Sequence, residues 1–284
     1  QKVTDEQVAA LRRQYGLDLP KYQQYFHWIS RLLQGDMGRS FAWNKPVSKL
    51  IAERLPLTIV ISLITLLVTY LVAIPIGIYS ATHQYSVGDY AFTVIGFAGL
   101  AIPNFLLALI LMFLLYKYFG INIGGLFSSQ YIDAPWSLAK TRDMLLHLPI
   151  PILVIGATGT AYLIRVMRGC LLDELKKQYV VTATAKGLSA SRVIFKYPVR
   201  IALNPIVSTI GWSLPGIVSG EVITSIVLNL PTTGPLLFEA LMGQDMYLAG
   251  STVMFLAALT VVGTFLSDLL LLALDPRIRY EKGA

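Results

Sequence analysis

Glu221 is a carboxylate within an otherwise apolar run from Asn204 and Pro205 to about Val227, some six residues before its far end. An ionisable group at membrane depth is costly to hold and marks a functional site by default. It could meet the ammonium of a passing solute or another cation. It could equally pair with a polar group on a neighbouring helix, or reach back to the interface. Pro103 and Asn104 interrupt a second apolar run at Ile102-Pro-Asn-Phe105. Proline there leaves a backbone carbonyl without its donor, which suits a hinge or a pathway wall, although simple kinking accounts for it as well. Asp268, near the end of the last run, fits helix-end or salt-bridge duty.

Other chemistry is excluded by the same reading. His27, His83 and His147 lie far apart without ligand spacing, and the lone Cys170 rules out an internal disulfide framework or a cysteine zinc cluster. No metal site and no catalytic residue is expected. An intramembrane enzyme would need paired aspartates or H-E-x-x-H within a span, and neither occurs. The chain lacks G-x-x-x-x-G-K-[ST], so no nucleotide cofactor is expected on it.

The most informative polar stretch is Tyr179-Val-Val-Thr-Ala-Thr-Ala-Lys-Gly-Leu-Ser-Ala-Ser191. Small residues Thr182, Ala183, Thr184 and Ala185 run into Lys186 and Gly187, a helix-stop pair. Ser189 then offers its hydroxyl oxygen to the first N–H groups of a new helix through Phe195. A helix, a sharp glycine turn and a second helix follow. The small residues would let another protein approach closely; an ordinary cytoplasmic helix–turn–helix has the same signature.

These residues must be positioned by a membrane scaffold. The chain is 55% hydrophobic and 14% charged, against about 25% charged in soluble domains, with mean hydropathy +0.62. A net charge of +7 fits basic loops at the inner surface better than nucleic-acid binding. Five spans are expected: Leu57 to Tyr79, Ala91 to Tyr116, Leu145 to Ile164, Asn204 to about Val227, and one within Met246 to Leu274. Residues 1–54 read as an extracytoplasmic amphipathic segment. In it, Thr4-Asp-Glu-Gln7 opens a short helix through Leu11 to Tyr15, and Lys21 to Leu33 is amphipathic and aromatic, suited to a membrane interface or to packing on the rest of the chain. Pro46 and Val47 begin a last short helix ending at Arg54. Leu230 to Gly234 reads as a turn.

From Arg165 to Arg200 there are eight basic residues (Arg165, Arg168, Lys176, Lys177, Lys186, Arg192, Lys196, Arg200) against Asp173 and Glu174, while Leu228 to Asp245 has no lysine or arginine. The first loop is therefore cytoplasmic and the second outside, which puts the C-terminus in the cytoplasm and residues 1–50 outside. An outside start without a signal peptide leads us to expect a sixth, first helix before Gln1.

Together these motifs resemble the permeases of ABC importers, specifically the dipeptide/oligopeptide branch. The 179–188 stretch resembles their cytoplasmic coupling loop. Further matching pieces are Tyr15-Gly-Leu-Asp18, Gly35-Asp-Met-Gly38, Arg54-Leu-Pro-Leu-Thr58, Ile74-Pro-Ile-Gly77, Ile102-Pro-Asn-Phe105, Arg165-Val-Met-Arg168 and Asp275-Pro-Arg-Ile-Arg279. The family's Glu-Ala-Ala…Gly positions fall on Val181, Thr182, Ala183 and Gly187, so the acidic residue and the first alanine are replaced. A proline expected well after the glycine falls near Arg200. Where the family often has a glutamate this chain has Ser225, and Leu228 and Leu230 replace aromatics; Glu221 is its own.

The resemblance implies an all-α polytopic fold, the type I ABC importer transmembrane domain, over residues 55–284 with the coupling loop at about 165–200. It implies a bacterial inner-membrane permease subunit for peptides, working by alternating access with a second homologous permease, two ATPase subunits that bind ATP and magnesium, and an extracytoplasmic binding protein. Coupling would rest on Tyr179, Thr182, Ala183, Ala185, Gly187 and Leu188, and the substrate pathway would include Glu221, Asn104 and Pro103. The alternatives are oligosaccharides or other small solutes as cargo, or a self-contained channel or secondary carrier. Carriers commonly show internal repeats, and none is evident.

Overall fold

The computed structural model describes residues 18–121, 123–211, 213, 216 and 221–274. The short helix expected at Leu11 to Tyr15, Pro215 and the C-terminal motif lie outside the described residues. Those described form helices α1 (Lys21–Leu33), α2 (Val47–Thr82), α3 (Val87–Ala101), α4 (Asn104–Phe119), α5 (Leu138–His147) and α6 (Pro149–Leu175). They continue as α7 (Gln178–Ala185), α8 (Ala190–Lys196), α9 (Pro198–Ser208), α10 (Val222–Val227), α11 (Thr233–Met242) and α12 (Met246–Leu274). Among the described residues, extended pairing is limited to a single bridge between Arg39 and Pro46.

Three helices, α2, α6 and α12, are long and apolar enough to cross a bilayer, and α3 with α4 makes a fourth if the bent pair is one span. The fourth expected span corresponds to α9, a stretch only partly described, and α10. The chain is a multi-pass membrane protein.

The helix expected to end at Arg54 does not end there. It runs on through Pro56 as the 36-residue α2, about 54 Å at 1.5 Å per residue. A membrane helix tolerates proline where neighbours satisfy the disturbed turn. Here the Thr58 hydroxyl donates to the Arg54 carbonyl (2.9 Å) and accepts from the Thr233 N–H (2.9 Å), which also ties α2 to α11.

The second span differs more. Instead of a kink there is a 105° break between α3 and α4. Ile102 is extended (φ −88°, ψ 119°) and Pro103 sits at the start of α4. The proline ring disfavours helical backbone at the residue before it, and α4 restarts with the N–H groups of Leu106 and Leu107 donating to the Pro103 carbonyl. Two further helices were not expected from the sequence. α5 precedes the third span and is capped by the Ser137 hydroxyl, and α11 follows the turn that opens at Leu230. The third span also continues beyond Ile164, so Arg165 and Arg168 lie within α6.

The core is built on α2 against α6. The helices approach through small residues, as membrane helices do where backbones pack closely. A β-carbon on Gly77 of α2 would lie 2.6 Å from Met167 Cβ and 3.1 Å from the Ile164 carbonyl, and one on Gly156 of α6 would lie 2.9 Å from the Thr69 hydroxyl. Around the Gly77 contact, Ala73, Leu163, Met167, Leu171, Ala202 and Ile206 are buried. Gly77→Leu should therefore lower the thermal midpoint of the purified protein, by about 1–3 kcal/mol of overpacking. Gly96→Ala, which meets nothing within 4 Å, should not. Equal midpoints for the two variants would refute the close-packing account.

Two polar clasps hold the ends. At one, Asp245 is fully buried, accepting from the Ser40 hydroxyl and from the Leu248 N–H at the start of α12. This docks the 38–47 loop on α12, where Gly38 (φ +78°) lies flat against the Tyr247 ring. Trp28 of α1 packs on Gly250, while Tyr22, Tyr25 and Phe26 stay exposed, so α1 partly packs and partly presents aromatics outward. At the other, Asp89 of α3 accepts two bonds of 3.0 Å from the Arg168 guanidinium of α6, together with the Ser80 hydroxyl and the Tyr85 N–H.

In the 117–143 connection, Ser128 donates to both oxygens of Asp143 (2.6 and 2.7 Å), which holds that carboxyl below its ordinary range. Lys140 donates to the Ala134 and Ile132 carbonyls beneath the Phe127 and Trp136 rings.

Candidate functional site

Two regions bring together the residues singled out by the sequence. The first is a knuckle just beyond α6. α7 ends at Ala185, and Gly187 follows in the left-handed region (φ +80°) with its N–H donating to the Thr184 carbonyl. Glycine adopts that backbone without the clash of a side chain, so the lysine–glycine stop is realised as expected. The cap at Ser189 is not: its backbone begins α8, but its side chain makes no capping bond.

Inside the knuckle, Val180 and Ala183 are buried against Val193, flanked by Tyr179, Leu188 and Tyr197. The Tyr179 hydroxyl donates to Glu174 at the end of α6. Burial and the Glu174 carboxylate both push that phenol above its ordinary pKa, so it stays a donor at any physiological pH. Of the six residues expected to couple, Tyr179, Ala183 and Leu188 thus build the knuckle from within. Thr182, Ala185 and Gly187 lie on its exposed surface. Val181 joins them there, 56% exposed. Sequence reasoning places it at the family motif's acidic position but does not count it among the coupling residues.

The second region is a cavity of about 340 Å³ between α2, α6 and the residues leading to α10. Its polar lining includes Thr69 and Tyr70 from α2, Thr158 and Tyr162 from α6, and Ser213 and Glu221. Behind it runs a relay across three elements. The Thr158 hydroxyl donates to Asn104 Oδ1 (2.8 Å), and Asn104 Nδ2 donates to Glu221 Oε1 (2.6 Å). Thr224 is a further hydrogen-bond partner of the Glu221 carboxyl. Opposite, the Tyr70 hydroxyl pairs with Thr209 of the α9 segment.

The structure therefore joins Asn104 and Glu221, which are 117 positions apart in the chain. Pro103 is exposed and does not line the cavity; it makes the break that turns Asn104 toward Glu221. Thr158, Tyr70, Tyr162 and Ser213 were missed. The available signal was weak: Thr65 and Thr69 one turn apart on α2, and the small pair Gly156 and Gly159 on α6. One element serves both regions. α6 carries the cavity wall at Gly156, Thr158 and Tyr162, and it ends three positions before α7 begins.

Comparison with known proteins gives a consistent picture. Residues 73–280 match the family described as binding-protein-dependent transport system inner membrane component. The oligopeptide transport system permease protein AppB of Bacillus subtilis is 35% identical over 267 residues, covering 94% of this chain and 83% of that protein. A protein of Brucella ovis named as a peptide permease is 32% identical over 278 residues, covering 98% and 86%. Among solved structures, an inward-facing form of the MetNI methionine ABC transporter has a chain that superposes with TM-score 0.59 at 14% identity, covering 80% of this chain and 97% of that one. That likeness is one of fold.

Proposed function

Because the chain belongs to the family of inner membrane components of binding-protein-dependent transport systems, we propose that it is the permease subunit of an ATP-driven peptide importer, forming its pathway by alternating access. Peptides are the cargo named for relatives that match nearly the whole chain. The observation that carries the reading is the continuity of α6, which lines a polar cavity and leads directly into an exposed knuckle of small residues. A pathway wall and a docking surface on one helix are what an energy-coupled permease needs.

A permease of this family works with other importer components. Here the partners would be a second homologous permease, two ATPase subunits that bind ATP and magnesium, and an extracytoplasmic binding protein. The excess of positive charge between Arg165 and Arg200 supports a cytoplasmic position for the knuckle and the C-terminus. Thr182, Ala185 and Gly187 would contact the ATPase, while Tyr179, Ala183 and Leu188 hold the knuckle's shape. Asn104 and Glu221 would belong to the pathway wall, with Pro103 setting their geometry.

Reconstitution tests this. Proteoliposomes holding both permeases and the ATPases, supplied with binding protein outside and ATP inside, should accumulate labelled peptide. ATP omission or loss of the binding protein should abolish accumulation. Uptake by this chain alone, without ATP, would support a self-contained carrier instead.

A further inference from the structure

The cavity has an uneven charge. Glu221 faces it, and among the described residues no lysine or arginine lines it. The nearest basic side chains of α6, Arg165 and Arg168, do not line this cavity but border an adjoining depression that shares Leu100 with it, and Arg168 is already engaged by Asp89. The hydrogen-bond partners of Glu221 are neutral: Asn104 supplies a carboxamide N–H, and Thr224 a hydroxyl. The Asn104 carboxamide is held in that orientation because its oxygen accepts from Thr158. The carboxyl is thus oriented by neutral donors and carries no counter-charge within its own wall. Tyr70 and Tyr162 place two aromatic rings on the same cavity.

A carboxylate beside aromatic faces is the chemistry that recognises an ammonium group. Three N–H donors match carboxylate and hydroxyl acceptors, and ring faces attract the cation. We propose that Glu221, oriented by Asn104 and Thr158 on a cavity that Tyr70 and Tyr162 also line, forms a subsite for a primary ammonium group. It gives this pathway a preference for solutes carrying a free amino group, such as a peptide's amino terminus. This rests on the reading of the cavity as the pathway. It concerns Glu221, whereas the resemblance to peptide permeases put the acidic position at Ser225.

Two measurements decide it. In the first, Ser213→Cys is placed in the cavity wall on a Cys170→Ser background, in membranes holding the assembled transporter. Its labelling rates with aminoethyl and sulfonatoethyl methanethiosulfonate are then compared. The ratio of cationic to anionic rate should fall on the order of tenfold in Glu221→Gln and be largely kept in Glu221→Asp. An unchanged ratio overturns the subsite. In the second, the reconstituted importer is given one peptide with a free and with an acetylated amino terminus, each presented by binding protein at saturation. Glu221→Gln should slow the free peptide alone. Equal slowing of both, or of neither, also overturns the proposal, since a merely structural glutamate cannot tell them apart. If the unaltered importer carries neither peptide, it is the peptide reading that fails, and the labelling ratio still decides whether the cavity favours ammonium.

Discussion

Gly187→Arg should reduce ATP-driven uptake to background while leaving the permease folded and inserted. The two halves of that result come from different features. Gly187 lies on the exposed surface of the knuckle, and a β-carbon there would meet no atom within 4 Å, so an arginine has room within this chain. Its backbone stands at φ +80°, which costs a non-glycine residue about 1–2 kcal/mol. That strain is small beside the cost of burying a long cation in the ATPase contact proposed for this face. Gly187→Asn separates the two effects, because asparagine tolerates the left-handed region and adds little bulk. It should retain a substantial fraction of uptake. Insertion is checked by expression and by gel filtration of the detergent-solubilised protein. Normal uptake in the arginine variant would mean that the exposed face of the knuckle is not a docking surface.

Asp89→Ala is expected to be the most destabilising single change outside the apolar core. The Asp89 side chain is only 4% exposed and the Arg168 side chain 30%, and removal of the carboxylate strands a half-buried guanidinium together with the Ser80 hydroxyl and the Tyr85 N–H. Breaking a buried, hydrogen-bonded ion pair from one side costs about 3–5 kcal/mol. The comparison is internal to the molecule. Arg31 and Asp36 form a bridge at 2.6 Å, but both side chains are more than 40% exposed, and such surface pairs contribute about 0–1 kcal/mol. The thermal midpoint should therefore drop far more in Asp89→Ala than in Asp36→Ala. Asp89→Asn, which keeps one acceptor oxygen for either Ser80 or Tyr85, should fall between them. Similar midpoints for the two alanine variants would refute the account in which burial makes the Asp89 pair the stronger one.

Much of the scaffold is legible in the sequence because the bilayer imposes it. Unbroken apolar length marked α2, α6 and α12, and the lysine–glycine stop placed the end of α7. What escaped were features decided by contacts between distant segments. Pro56 reads locally as a helix boundary, yet α2 passes through it because Thr58 and Thr233 support the turn. Pro103 reads as a kink, but side-chain bonding of Asn104 to Thr158 and Glu221 accompanies a much sharper turn. α5 and α11 carry too little apolar periodicity to stand out between spans. For the candidate site, the intramembrane position singled out Glu221, and composition could not reveal that Asn104 and Thr158 orient it. Ser189 shows the converse: a side chain of the right type at the right place that makes no cap.

The continuity of α6 has a mechanical consequence. A helix of this kind is a stiff rod, and it is gripped at Arg168 by the carboxylate of another helix. Thr158 lies ten positions to one side of that grip, about 15 Å away, and Leu175 seven positions to the other, about 10 Å. A rod held at such a fulcrum is a lever with a gain of roughly 1.5. Were the knuckle end driven sideways, a tilt of about 10° would carry Thr158 roughly 2.5 Å, close to the whole length of the bond it donates to Asn104. An ångström-scale stroke at one end would thus unlatch the asparagine at the other, and with it the glutamate that the asparagine holds in place.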